Sequence, residues 1–252
     1  MELWTPTHVQ TLLPAIIVMI LIALGLRLTL GKKERKIRMI PFQILACFLV
    51  AIEIGKQVLS LQNGYDLYHL PFHFCSILIF LPITMAFYRG KHEKTICCIT
   101  TATSAAVFIL TAIYPALIYS ADNVKNFFGS YFDFHTVAFH NVAMLLFLLI
   151  PALDLHEPEP KGEPMKNLWF MVGFCAISAS MAHLLKTNFN NFYTCNIAPL
   201  EAVRQSVEAA LGTAAAAIFY VLIVTLLDIL FVQGAYWFYR LLRKLLTKKV
   251  KV

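Results

Sequence analysis

Ionisable and nucleophilic side chains interrupt an otherwise apolar chain at a few places: Glu53, Lys56 and Gln57; then His69, His73, Cys75 and Ser76; then His135 and His140; then His183, Lys186, Asn190 and Asn191. The first chemistry these types suggest is nucleophilic catalysis, with Cys75 as the thiol and His140 as its base. A thiol reacts as the thiolate and needs such a base nearby. His73 lies two residues from Cys75, about 200° around a helix, and so points away from it and nearer Ser76. That makes Ser76 the weaker, alternative nucleophile.

A second chemistry would be metal binding. His69 and His73 have the i,i+4 spacing that chelates on a helix. Pro71 between them disfavours helix at Leu70 and weakens the pattern. His135 and His140 are five apart, about 140° around a helix, and cannot share an ion without distortion. No metal and no cofactor is therefore expected. A third possibility is a transporter or receptor, in which Glu53 and Lys56 form a buried pair; no paired Gly/Pro break at mid-span and no inverted repeat supports it.

The elements that must position these groups are membrane helices. Apolar residues make up 59% of the 252 and charged residues only 14%, far below the roughly one quarter of soluble domains. Apolar stretches reach the ~20 residues that span a bilayer as helix, and the period-2 alternation of an outer-membrane barrel is lacking. The expected fold is all-α: a single bundle of seven transmembrane helices at about 9–30, 38–60, 72–88, 95–119, 134–152, 168–187 and 212–236. The N-terminus lacks a basic n-region, so the first apolar run is expected to be a retained helix. Of the six cysteines only Cys195 falls in an expected loop, which excludes a disulfide framework.

The net charge of +7 does not point to nucleic acid, because the cations sit in short clusters between apolar spans. Lys32, Lys33, Arg35, Lys36 and Arg38 fall in the first connection, Arg89, Lys91 and Lys94 in the third, and Lys161 and Lys166 in the fifth. Arg240, Arg243, Lys244, Lys248, Lys249 and Lys251 follow the last span. With Arg27, seventeen of the 21 basic residues share one side, and only Lys125, Lys186 and Arg204 lie opposite. The positive-inside rule makes the basic side cytoplasmic, giving an N-out, C-in protein of the cell membrane. The stretch 156–164, with three prolines among its charges, reads as a flexible cytoplasmic loop. Outside, 188–211 is the longest connection, and Glu201, Arg204 and Glu208 share a helical face there.

Depth groups the polar residues. Glu53, Lys56, His73, Cys75, His135, His140, His183 and Asn190 come from four helices, yet all fall within roughly 10 Å of the outer boundary at 1.5 Å per residue. Intramembrane polar groups face the bundle interior or an aqueous cavity, so the cluster reads as one polar cavity opening to the outer leaflet. Glu53 and Lys56 also read as a structural ion pair, and His135 as a helix cap.

The segment Leu70-Pro-Phe-His-Phe-Cys-Ser76 resembles the Leu-Pro-Leu-His-Leu-Cys signature of the YwaF-like bacterial membrane proteins, whose animal relatives are the transmembrane protein 164 family. The resemblance extends to Thr5-Pro-Thr-His8, Glu53, Phe139-His-Asn141 and Asn190-Asn-Phe-Tyr193. It implies a polytopic phospholipid acyltransferase with Cys75 as nucleophile and His140 as base. His73, Ser76, Glu53, Lys56, His135, His183, Asn190 and Asn191 would then line the cavity or position substrate. The expected partners are membrane lipids, as substrates. Because the site faces outward, where acyl-CoA is not expected, the donor would be another phospholipid; with water as acceptor the same site would be a lipase. The rival is a non-enzymatic transporter or ligand-binding protein using the same cavity.

Overall fold

Every described element is helical. The structure, a computed structural model, describes residues 3–194 and 198–248; Cys195 lies outside them. Six helices are long and apolar enough to cross a membrane: α1 (Pro6–Leu30), α2 (Arg35–Gln62), α4 (Glu93–Ile113), α7 (Tyr131–Ala152), α8 (Glu163–Leu185) and α10 (Thr213–Lys248). The shorter elements are α3 (Ile77–Phe87), α5 (Pro115–Ile118), α6 (Ala121–Lys125) and α9 (Ala198–Leu211).

Contacts at the helix ends fix the arrangement. Arg27 at the end of α1 and Arg243 near the end of α10 both donate to the Pro151 carbonyl at the end of α7, at 3.3 and 3.1 Å. Arg38 in the first turn of α2 donates to the Leu153 carbonyl at 2.6 Å. Arg35 pairs with Glu93 at the start of α4, and Gln43 donates to the Ala86 carbonyl at the end of α3 at 3.1 Å. The ends of α1, α3, α7 and α10 thus gather with the starts of α2, α4 and α8, so consecutive membrane elements alternate in direction. The basic clusters share one side of the bundle.

The interior is built on α4, where Thr100, Thr101, Ala102, Thr103, Ser104, Ala105 and Ala106 are all fully buried. Small residues let neighbouring backbones approach closely. The threonine hydroxyls stay satisfied by bonding back one turn, Thr101 to Cys97 at 2.6 Å and Thr103 to Ile99 at 2.8 Å. Large apolar side chains fill the space around α4, with Phe42, Phe147 and Leu49 fully buried, and others such as Leu28, Ile44 and Leu222 remain exposed on the outer surface. At Gly55 there is no room for a side chain, because a Cβ would sit 2.1 Å from the Tyr131 hydroxyl.

Four expectations are corrected. The third span is not helical from 72: residues 71–76 form turns and α3 starts only at Ile77. Its 11 residues reach only about 16 Å. The fourth helix stops at Ile113 because Pro115 starts a separate turn after Tyr114. The last helix runs on to Lys248, absorbing the tail, and is separated from α9 by Gly212 at φ +86°. Finally, the stretch 156–164 is tied down. Glu163 is 1% exposed and accepts from the Tyr236 hydroxyl at 2.8 Å and from the Glu159 amide at 2.9 Å. Tyr239 donates to the His156 carbonyl at 2.5 Å. Tyrosines from α10, too remote in sequence to anticipate, provide the partners that the prolines cannot.

Candidate functional site: a polar cluster beside Cys75

Glu53 is the hub. It faces inward from α2 and accepts from Lys56 Nζ at 2.7 Å, Gln57 Nε2 at 2.7 Å and, from α7, His135 Nε2 at 2.8 Å. All three partners are charged or polar and the carboxylate is buried, which is how an intramembrane carboxylate is tolerated. Gln57 extends the network outward. Its amide donates to the His69 carbonyl at 2.8 Å, and it accepts from the Tyr65 hydroxyl at 2.6 Å. Ser60 shares a 2.7 Å hydrogen bond with His69 Nδ1, and the His69 ring stacks on Phe132, centroids 5.1 Å apart. Burial and the Lys56 ammonium hold the His69 imidazole below its usual pKa, so it is neutral at pH 7.

The network holds the connection that carries Cys75. From the other side, Asn190 accepts from the Phe74 amide at 2.5 Å and donates to the Phe72 carbonyl at 3.3 Å, while Ser178 of α8 donates to the same carbonyl at 2.8 Å. Non-helical backbone at membrane depth persists only where protein groups satisfy it, and these side chains do so. Asn190 reaches its position through a left-handed φ of 49°, which asparagine adopts more readily than most residues. His73 donates from Nε2 to the Tyr68 carbonyl at 3.1 Å, and its ring lies against Tyr68 and Phe189. Cys75 is half-buried against the main core, and Ser76 is buried as the residue preceding α3.

His140 is buried one turn deeper than His135 and donates from Nδ1 to the Thr136 carbonyl at 2.7 Å. That bond leaves the lone pair on Nε2, the atom a general base would use. The ring neighbours Phe139 and Tyr119. Among the described residues no direct hydrogen bond joins Cys75 to His140. Glu53, Lys56 and His135 are brought together; Cys75, Ser76, His73 and Asn190 form the adjoining segment. His183 is not part of the cluster: it is exposed, its ring against Tyr193. Asn191 has a left-handed φ of 60° and pairs with the Asn188 amide at 3.4 Å.

Two residues already singled out in the sequence, Gln57 among the polar groups and His8 in the family motif, acquire a role only in the structure. Gln57 is the link between Glu53 and the Cys75 connection, and its i,i+4 spacing from Glu53 was the available signal. His8 is fully buried: Nδ1 pairs with the Thr5 hydroxyl at 2.8 Å, and Nε2 donates to the Tyr119 carbonyl at 3.0 Å. It docks the capped start of α1 on the segment that neighbours His140.

Six long apolar helices with exposed apolar side chains on their outer faces, packed around an enclosed polar cluster, define a multi-pass helical membrane protein. The chain belongs to the TMEM164 family, whose model matches residues 3–234. No curated protein and no solved structure matches it significantly.

Proposed function

We propose that this protein transfers acyl groups between membrane lipids, with Cys75 as nucleophile and His140 as base. The observation that carries the reading is the fixed, non-helical placement of a half-buried thiol: side chains from α2, α8 and the 188–191 segment brace the connection around Cys75. Rigid support of this kind is what a positioned nucleophile requires. The tautomer of His140 set by Thr136 is the second support. In the first step His140 Nε2 takes the Cys75 proton, the sulfur attacks the ester carbonyl of a donor phospholipid, and the lysolipid oxygen leaves with the proton from the imidazolium. In the second, an acceptor lysolipid hydroxyl, deprotonated by His140, attacks the thioester and releases the thiolate, which regains the proton. We further propose that all seven apolar elements cross the membrane, with the basic side facing the cytoplasm of the cell membrane. The donor is then a phospholipid rather than acyl-CoA. The motif at 70–76 favours the YwaF-like bacterial branch of the family.

The test is acyl exchange by the purified protein between an isotope-labelled phospholipid and an unlabelled lysolipid, read by mass spectrometry. Cys75→Ala and His140→Ala should each lower the rate by about 10²-fold or more. The double variant should be little worse, since the two act as a unit. Wild-type protein that shows neither transfer nor a hydroxylamine-sensitive acyl adduct would overturn the reading and leave transport ahead. Activity surviving in Cys75→Ala but lost in Ser76→Ala would move the nucleophile to Ser76.

A further inference from the structure

At the basic end of the bundle, far along α3 from Cys75, a cleft of about 390 Å³ opens between the start of α2 and the end of α3. Arg35, Lys36, Gln43, Ala86, Phe87 and Arg89 line it. Three of the six are cations, and they differ in what already engages them. Arg35 is paired with Glu93. Arg89 folds over the end of α3, donating to the carbonyls of Met85, Ala86 and Tyr88 at 3.1, 2.7 and 2.7 Å; these bonds orient it but leave its charge unbalanced. Among the described residues none pairs with the Lys36 ammonium. The neighbouring acid, Glu34, precedes α2 and does not line the cleft. The cleft therefore offers two uncompensated positive charges, one of them fixed in direction.

Its surroundings are apolar. Lys36, Ile40 and Ile44 follow one another at i,i+4 on α2, and Ile40 and Ile44 are 46% and 63% exposed. On α3, Phe80 and Phe87 are 55% and 54% exposed. A cation pair with a ladder of exposed apolar side chains rising from it along the membrane direction matches an amphiphile with an anionic head. A soluble phosphate would gain nothing from that ladder. Basic pockets between transmembrane helices at the membrane boundary take acidic lipid head groups for this reason.

We propose that this cleft binds the phosphate of an anionic phospholipid, with Lys36 and Arg89 on the head group and an acyl chain along Ile40, Ile44 and Phe80. This site is separate from Cys75 and does not depend on the acyl-transfer reading. Native mass spectrometry of the purified full-length protein, titrated with dioleoyl phosphatidylglycerol or dioleoyl phosphatidylcholine, tests it. The anionic lipid should bind more tightly than the zwitterionic one. Lys36→Gln, at an exposed position outside the bonded core, should weaken phosphatidylglycerol about fivefold, the equivalent of about 1 kcal/mol for one basic residue at an anionic surface. Lys36→Arg should restore it, and Lys32→Gln, in the same connection but outside the cleft, should leave it unchanged. Equal binding of the two lipids would overturn the proposal. So would equal weakening by Lys32→Gln and Lys36→Gln, which would mean diffuse surface charge. Retained affinity in Lys36→Gln and in Lys36→Gln with Arg89→Gln would overturn it as well. Complete displacement of phosphatidylglycerol by millimolar inorganic phosphate would make the head-group phosphate alone the ligand and sink the lipid assignment.

Discussion

Removing the Glu53 charge alone is expected to destabilise the protein more than removing it together with its counter-charge. In Glu53→Gln the Lys56 ammonium keeps its buried position, with its side chain 12% exposed, and loses the one carboxylate that pairs with it among the described residues. Breaking one partner out of a buried pair costs about 3 kcal/mol or more. In Glu53→Gln with Lys56→Met no carboxylate or ammonium remains; Gln57, which donates to one carboxylate oxygen, keeps an acceptor in the new amide oxygen, and His135, which meets the other, can accept from the amide nitrogen in its alternative tautomer. What is lost is the charge assistance of those bonds, about 1.5 kcal/mol. Lys56→Met alone should be mild, because Glu53 keeps its donors at 2.7 Å from Gln57 and 2.8 Å from His135. For a protein of this size 1 kcal/mol corresponds to about 2–4 °C in Tm. The single Glu53→Gln variant should therefore melt roughly 6–12 °C below the parent, with the double variant about half as far below. Size-exclusion chromatography after a heat ramp in detergent measures this directly. A double variant melting at or below Glu53→Gln would refute the idea that the uncompensated ammonium is the source of the cost.

Asn190→Leu leaves the Phe74 amide unmet and the Phe72 carbonyl with its Ser178 bond alone; at about 1–3 kcal/mol per buried orphan group it should lower Tm and raise the maleimide labelling rate of Cys75, whereas unchanged labelling would mean the brace does not hold the connection. The depressed His69 pKa means that the unfolded chain binds more protons than the folded one below about 6.5, so this contribution to stability is complete above that pH and is lost as pH falls through the lower folded value; the protection of amides 63–70, taken relative to their intrinsic exchange rates at each pH, should fall on acidification in the parent and stay constant in this window in His69→Gln. The proposed orientation requires that a cysteine placed at the C-terminus resist an impermeant thiol reagent in intact cells, and ready labelling would overturn both the orientation and the phospholipid-donor argument.

Several features were legible without coordinates because they depend only on helix geometry and solvent. Apolar length and low charge require membrane helices, and the clustering of cations gives the two sides. The pairing of Glu53 with Lys56, and of Arg204 with Glu201 and Glu208 at 2.7 and 2.8 Å, follows from residues three and four apart sharing a helical face. Arg204 holds the Glu201 carboxyl down to about 2. Tertiary structure decided the rest. His135 meets Glu53 across 82 residues, Asn190 reaches Phe74 across 116, and Tyr239 ties His156 across 83. Helical periodicity gives the face on which a residue lies but not which helix that face will meet. Depth alone placed Cys75 and His140 at overlapping heights; the helix of His140 supplies its Thr136 acceptor one turn back, while packing sets its ring near Tyr119 and holds Cys75 in a turn beside the Asn190 brace. The short α3 is the sharpest case. Hydropathy marks 72–88 as one apolar run, but whether its first residues are helix or turn depends on whether distant side chains satisfy the backbone amides and carbonyls, and here Asn190 and Ser178 do.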